Sequence, residues 1–246
     1  MNYKNKVVVV TGSSRGIGRS IAIAYAKLGA DIVINYHKND TDAQITKLAI
    51  ESYNVRCLLV KADVSKENEV IKLKDQTIQT FGKVDILVNN AGLVYDLPFE
   101  DRTVSHWTRT LNTNLISVFL TAKHFSPHLM QSEHPNILNI SSTNGINTLY
   151  PSSMDYDASK AGIISLTKNL AVQFAPKINV NAIAPGWVET SMNASLPDQF
   201  IQEETNKILK KRFATPEEIA SVAVFLTSDS ARYINAQVIS VDGGML

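Results

Sequence analysis

Short apolar runs alternate with longer amphipathic stretches along most of the chain, and this alternation restricts the folds open to it. Lys6–Thr11, Asp31–Asn35, Arg56–Lys61, Asp85–Asn89, Asn136–Ser141, Ile178–Ile183 and Gln237–Val241 read as buried strands, with no clean polar side. Gly16–Leu28, with Ile17, Ile21, Ala24 and Leu28 on one face, reads as a helix, as do Thr41–Tyr53, Lys66–Phe81 and Ser153–Phe174. A long helix falls within about 105–130 and is expected to bend near Pro127. Strands alternating with helices of this length imply right-handed βαβ units around a parallel sheet covered on both faces. The rhythm pauses once, over Trp187–Thr215, and a pause of that length in a compact domain marks a functional excursion such as a lid. Thr215 as N-cap and Pro216 at the first helical position then open a last helix through about Leu226. No linker or repeat interrupts the pattern, so residues 1–246 are expected to form one domain, with a lid over about 187–215.

Two local features carry chemistry. Thr11-Gly12-Ser13-Ser14-Arg15-Gly16-Ile17-Gly18 lies between the first strand and the first helix. Glycines there allow a tight turn and bring backbone N–H groups to a phosphate at a helix N-terminus. The spacing is neither the usual G-x-G-x-x-G nor a nucleoside-triphosphate loop, because no Gly-Lys-Ser/Thr follows. Further on, Tyr156 and Lys160 stand four residues apart, one helical turn. A lysine cation there is expected to draw the phenol pKa from about 10 toward neutrality, making the tyrosine a proton donor and acceptor. The spacing alone is weak in a chain with eight tyrosines.

Composition removes several alternatives. A net charge of +1 argues against nucleic acid or an acidic membrane as the main partner. The single cysteine, Cys57, cannot form an internal disulfide, and its apolar neighbours suggest a buried strand residue. The apolar run Val7–Val10 is too short for a signal segment or a membrane span, so a soluble, cytoplasmic protein is expected. His124 and His128 have the spacing of a helical metal pair, but no Glu accompanies them as in H-E-x-x-H and Pro127 lies between; no metal is expected.

Thr11–Gly18, Asn89-Asn90-Ala91-Gly92, Asn114, Ser142, Tyr156 with Lys160, Pro185-Gly186 and the ending Ser240–Met245 stand in the order of the short-chain dehydrogenase/reductase superfamily. The chain resembles that superfamily over essentially its whole length, above all its 3-oxoacyl-[acyl-carrier-protein] reductase and glucose dehydrogenase group. The resemblance implies a three-layer α/β fold, a Rossmann-like, doubly wound sheet of seven parallel strands in the order 3-2-1-4-5-6-7. It also implies a tetrad. Tyr156 would be the general acid/base; Lys160 would lower its pKa and bind the nicotinamide ribose; Ser142 would polarise the substrate oxygen; Asn114 would hold a proton-relay water. Asn112 and Ser141 compete for the last two roles, and the Thr113-Asn114-Leu115 context and the spacing to Gly145 select Asn114 and Ser142.

The cofactor follows from the end of the second strand, Ile34-Asn35-Tyr36-His37-Lys38, which has no acid before Asp40. A carboxylate there would bind the ribose 2′-hydroxyl of NAD, whereas a basic group accepts the 2′-phosphate of NADP. Arg15 and Lys38 therefore favour NADP(H). By resemblance, Gly12, Ser13, Ser14, Arg15, Ile17, Gly18, His37 and Lys38 line the cofactor, Asp63 and Val64 meet adenine, and Asn90-Ala91-Gly92 lie along the ribose. Pro185, Gly186, Val188 and Thr190 are assigned to the nicotinamide. Trp187, Met192, Leu196, Phe200, Ile201, Ile208 and Leu209 give the lid its apolar face, and Asn147, Leu149 and Tyr150 are further pocket-wall candidates.

The expected activity is NADPH-dependent reduction of a carbonyl, a 3-oxoacyl thioester in the first place, with oxidation of a sugar or secondary alcohol as the alternative. A non-catalytic regulator would usually have lost one of Tyr156, Lys160 and Ser142. An acyl-carrier protein as partner would need basic residues at the entrance, where this chain offers Gln131-Ser132-Glu133-His134 and Lys177, an incomplete patch. A homotetramer built on the fourth and fifth long helices and the C-terminal segment is implied by resemblance.

Overall fold

The computed structural model describes residues 1–147, 149–191, 193 and 196–245. Seven strands, β1 (Val7–Val10), β2 (Asp31–Tyr36), β3 (Cys57–Lys61), β4 (Ile86–Asn89), β5 (Asn136–Ile140), β6 (Asn179–Pro185) and β7 (Val238–Val241), form one sheet in the order β3-β2-β1-β4-β5-β6-β7. Every pairing is parallel, with Val8 facing both Ile32 and Ile86 across the central strand. This is the expected doubly wound order.

The four valines of β1 show why the runs are continuous. Successive side chains leave a strand on opposite faces. Val8 and Val10 enter the core beneath α1 (Gly16–Lys27) and α8 (Pro216–Leu226), while Val7 and Val9 enter the one beneath α3 (Glu67–Phe81), α5 (Ser117–Leu129) and α6 (Met154–Phe174). Both faces of β1 are buried, so the strand shows no polar alternation. The remaining helices are α2 (Asp40–Glu51), α4 (Val104–Leu111) and α7 (Asp198–Lys207).

The structure departs from expectation in four places. Strand and helix ends move by one or two residues, as fraying termini do. The buried stripe of α1 is Gly18, Ile21, Ala22, Tyr25 and Ala26, rotated from the expected face because Tyr25 packs inward and bonds Thr227 at 2.7 Å. The long helix does not break at Pro127, which sits inside α5. It widens instead at Asn112–Ile116, a π-helical turn between α4 and α5. Finally, the excursion after β6 contains α7 and returns to the sheet through Val188–Ala214 and Ile208–Met245 bridges. Thr215 and Glu218 form the full capping box that opens α8. Among the described residues no helix is long and apolar enough to cross a membrane.

Candidate active site

The strands end toward a cavity of about 920 Å³ that spans the point where chain order reverses between β1 and β4. Open α/β sheets bind ligands at that switch point. The glycine turn forms its floor, and the three glycines have different tasks. Gly12 has φ +61°, and a Cβ on it would meet the Ala91 Cα at 2.8 Å; a Cβ on Gly18 would meet Asn90 Nδ2 at 2.4 Å. These two let the turn pack against the loop after β4. Gly16, φ +57°, has only the Thr190 methyl near it, at 3.7 Å, so its requirement is conformational. Thr11 Oγ1 accepts from Asn90 N and Ala91 N, and Asn90 Nδ2 donates back to the Thr11 and Gly12 carbonyls.

The cavity wall carries Gly12, Ser14, Arg15, Ile17, Gly18, His37, Lys38, Asp63, Val64, Asn90, Ala91 and Gly92, together with Pro185, Gly186, Val188 and Thr190. Ser13 is the exception. It is fully buried and its hydroxyl donates to Val10 O at 2.7 Å, so it braces the turn instead of facing the cavity. Arg15, His37 and Lys38 are exposed there. The nearby carboxylates are engaged: Asp63 accepts from Ser65 and from Arg109 at 3.1 Å, and Asp40 is held by Lys61 and Tyr36. Burial alone would raise the Asp63 pKa, but Ser65 and Arg109 bring it below the usual range. Arg109 and Asn35 were not foreseen. Asn35, a buried polar residue directly after the apolar run Ile32–Ile34, accepts from Gly12 N at 3.2 Å and donates to Ala62 O at 2.9 Å, and that misfit in the sequence was the available signal.

The catalytic candidates gather at the other end. Tyr156 and Lys160 lie on successive turns of α6, with Lys160 Nζ 5.3 Å from the phenol ring centroid. Lys160 donates to Ile140 O at 2.8 Å and is buried. Ser142 follows β5, accepts from Asn144 N at 3.2 Å, and lies beside the Tyr156 hydroxyl. Its neighbour Ser141 donates instead to Lys160 O at 2.9 Å. A Cβ on Gly145 would come within 2.6 Å of the Lys160 carbonyl carbon, so glycine there seats the Ser142 turn on α6.

Asn114 occupies the π turn, fully buried. Its side chain accepts from Leu93 N and donates to Leu93 O, both at 2.9 Å, and donates to Ser159 Oγ at 3.0 Å. Gly92 lies between it and Lys160: a Cβ there would be 3.5 Å from Asn114 Oδ1 and 3.7 Å from Lys160 Nζ. Asn114 thus anchors the loop after β4 against the Lys160 turn.

The expected fall of the Tyr156 pKa does not occur in this chain. Burial pushes it up to about 12, the Ser142 hydroxyl only partly offsetting that, and Asp157 and Asp96 push the same way. Burial also pushes Lys160 down to about 8. Desolvation dominates both shifts; Lys160 faces the phenol ring and directs one N–H to the Ile140 carbonyl.

Three supports of the substrate end were missed in the sequence. Arg102 and Asp155 form a buried ion pair; Arg102 also donates to the Tyr95, Leu97 and Ser152 carbonyls, and Thr110 donates to Asp155 at 2.7 Å. Glu204, on α7, is 2% exposed and meets Tyr150 and Trp187. Burial would raise Glu204, but Lys207, Tyr150 and Trp187 hold it below its usual range. Of the expected lid and wall residues, Leu196, Phe200, Trp187 and Tyr150 reach the cavity, and Met192 lies outside the described residues. No cluster of His, Cys, Asp and Glu suited to a metal occurs among the described residues. Cys57 is a part-buried strand residue whose thiol burial pushes up to about 12.

A switch-point cleft with a glycine turn at one end and a serine, tyrosine and buried lysine at the other defines an oxidoreductase that works on an alcohol or its carbonyl with a nicotinamide cofactor. The family model described as "Enoyl-(Acyl carrier protein) reductase" matches residues 12–246. The chain belongs to the short-chain dehydrogenase/reductase superfamily. It is 39% identical to 3beta-hydroxysteroid dehydrogenase 1 of Eggerthella lenta, over 99% of this chain and 95% of that one. It is 37% identical to the 3-oxoacyl-[acyl-carrier-protein] reductase FabG of Staphylococcus epidermidis (98% and 99%) and 38% identical to glucose 1-dehydrogenase 2 of Bacillus subtilis (98% and 94%). A short-chain dehydrogenase of Burkholderia cenocepacia, solved in complex with NADP, superposes with a TM-score of 0.94 at 31% identity, covering 99% of both chains.

Proposed function

We propose that this protein reduces a carbonyl to a hydroxyl with NADPH, a 3-oxoacyl thioester of the kind used in fatty-acid synthesis being the first substrate to test. The observation that carries the reading is one cavity with Ser142, Tyr156 and Lys160 at one end and Arg15, His37 and Lys38 at the other, where the nearby carboxylates are already bonded. The residues fit the cofactor. The glycine turn offers backbone N–H groups for a pyrophosphate, and the exposed Arg15 and Lys38 suit a 2′-phosphate. NADP(H) supplies the hydride when bound. Ser142 holds the substrate oxygen, Tyr156 donates the proton to it, and Lys160 contributes its positive charge beside the phenol. Burial keeps the Tyr156 phenol protonated at the start of a reductive turnover but makes it a weaker acid than a free tyrosine. The proton transfer therefore relies on the positive charge of Lys160 and the Ser142 hydroxyl beside it. The described part of the excursion, with Trp187, Leu196 and the α7 residue Phe200 at the cavity, acts as lid and excludes water.

A second reading, oxidation of a free secondary alcohol or sugar, is favoured by the placement of the expected carrier-protein patch. Lys177 and residues 131–134 precede β6 and β5, at the N-terminal ends of the strands, away from the cavity at their C-terminal ends. The test is NADPH oxidation against β-oxo thioesters, free and carried by an acyl-carrier protein, beside diketones, neutral ketones and sugar lactones. Thioester turnover supports the first reading; activity on free alcohols alone supports the second. Replacing Arg15 and Lys38 with Ala should raise the NADPH KM about 10- to 100-fold, the loss of two charge-assisted contacts, and leave NADH unaffected. Equal efficiency of the wild type with NADH would remove the NADP assignment. Exposed Ile116 and Phe119 on the π turn and α5, and Val172 on α6, support a homotetramer, which light scattering would test.

A further inference from the structure

The lid helix hides a carboxylate that the chemistry does not require. The exposed residues of α7 are polar, yet Glu204 is turned inward and 2% exposed. It accepts from the Tyr150 hydroxyl, from Trp187 Nε1 at 3.0 Å and from Lys207 Nζ at 2.5 Å. Trp187 Nε1 also donates to the Tyr150 oxygen at 3.2 Å. These partners come from three separate segments: the loop before α6, the stretch after β6, and α7 itself. Each carries an aromatic ring to one place. Tyr150 meets Trp187 edge-on at 5.6 Å, Trp187 meets Phe200 edge-on at 5.5 Å, and Phe213 stacks behind Trp187 at 5.4 Å. Tyr150, Trp187 and Phe200 line the cavity at its Tyr156 end.

We propose that Glu204 is a positioning residue that sets this aromatic wall, and that the wall receives an uncharged, apolar part of the substrate next to its carbonyl. A buried carboxylate is stable only when its oxygens are bonded, so it orients the groups that bond it. Without an acceptor the indole N–H and phenol would turn toward water and the edge-to-face packing would loosen. Charge points the same way. Among the described residues the cavity's other cations, Arg15, Lys38 and the Asp63-bound Arg109, lie toward the cofactor end, and Lys160 alone stands at this one. Asp96 adds a negative charge to the substrate end, which disfavours an anionic group there. The proposal rests on the carbonyl-reductase reading and narrows its substrate; an acyl chain and a hydrocarbon ring both satisfy it.

The test uses Glu204→Gln and Glu204→Leu in the full chain. It compares a bulky apolar ketone, a small ketone and a ketone carrying a distal carboxylate, with NADPH affinity and thermal midpoint measured alongside. Glu204→Leu should lower the ratio of kcat/KM for the bulky over the small ketone by about tenfold, mainly through KM, the scale on which an apolar pocket discriminates. NADPH affinity should stay unchanged. Glu204→Gln, which keeps an acceptor for Trp187, should fall between. The carboxylate-bearing ketone should be the poorest substrate of the wild type. An unchanged ratio, or losses equal for every substrate, would overturn the positioning role; efficient use of the carboxylate ketone would overturn the uncharged wall. In a Trp107→Phe background Trp187 is the only indole, and Glu204→Leu should shift its emission to the red and expose it to quencher. That readout needs no turnover. A wild type inactive on every carbonyl would defeat the reductase reading, while the emission would still decide whether Glu204 holds the wall.

Discussion

Gly145 and Lys160 touch backbone to backbone: a Cβ on Gly145 would lie 2.6 Å from the Lys160 carbonyl carbon and 2.7 Å from Ala161 N. The turn that carries Ser142 is thereby pressed onto the helix that carries Tyr156 and Lys160, with Ser141 pinning it through Lys160 O. Gly145→Ala must push the two apart. Displacement of a catalytic group by about 1 Å costs on the order of 100-fold in rate, so kcat should fall by about that factor while NADPH binding, measured by fluorescence, persists. Wild-type kcat in this variant would refute the seating role.

Tyr156→Phe removes the proton donor and leaves the ring. Turnover should fall by about 100- to 10,000-fold, the usual contribution of general acid catalysis, with NADPH affinity retained. Stopped-flow reduction and equilibrium binding separate the two effects, and a variant keeping more than about a tenth of the rate would sink the assignment.

The rate should also depend on Lys160. Burial holds its pKa at about 8, so the ammonium is present below that pH and lost above it. Tyr156, pushed up to about 12, remains protonated through the same window. Reduction measured from pH 6 to 10 should therefore decline as pH rises through about 8. The sign for stability is opposite. A lysine whose folded pKa is depressed opposes folding below about 8, and that penalty is relieved as pH climbs toward its unfolded value. A rate that rises steadily across this range would contradict the burial of a charged Lys160.

Arg102→Met would leave Asp155 charged inside the protein, next to Tyr156. Removing one partner of a buried pair costs about 3–5 kcal/mol, which urea unfolding would read as a lower midpoint. The double variant Arg102→Met with Asp155→Asn removes both charges and should recover most of that loss. If the single variant unfolds with wild-type midpoint, the pair carries no structural weight.

Cofactor chemistry was legible in the sequence because it resides in residues whose type is dictated locally. Gly12, Gly16 and Gly18 answer to a turn, the Tyr156–Lys160 spacing to one helical period, and the apolar runs to a sheet covered on both faces. Each is a short-range constraint, and each was readable without contacts. Ser13 misled because its place in the motif does not say which way the hydroxyl points, and its bond to Val10 O is a matter of the folded turn. The π turn at Asn114 was hidden for a similar reason. Pro127 advertises a bend by its chemistry, whereas the widening at Asn112–Ile116 accompanies bonds from Asn114 to Leu93 and Ser159, which are distant in the chain.

By itself, then, the sequence determined the sheet, its order by resemblance, the glycine turn and the candidate reacting groups, since periodicity and backbone sterics act over a few residues. Only the tertiary structure decided how the reacting groups are tuned and walled. Desolvation reversed the expected Tyr156 shift, because burial is a property of everything packed around a group. The Glu204, Tyr150 and Trp187 contact and the Arg102–Asp155 pair join residues from separate segments, and no local pattern encodes such a meeting.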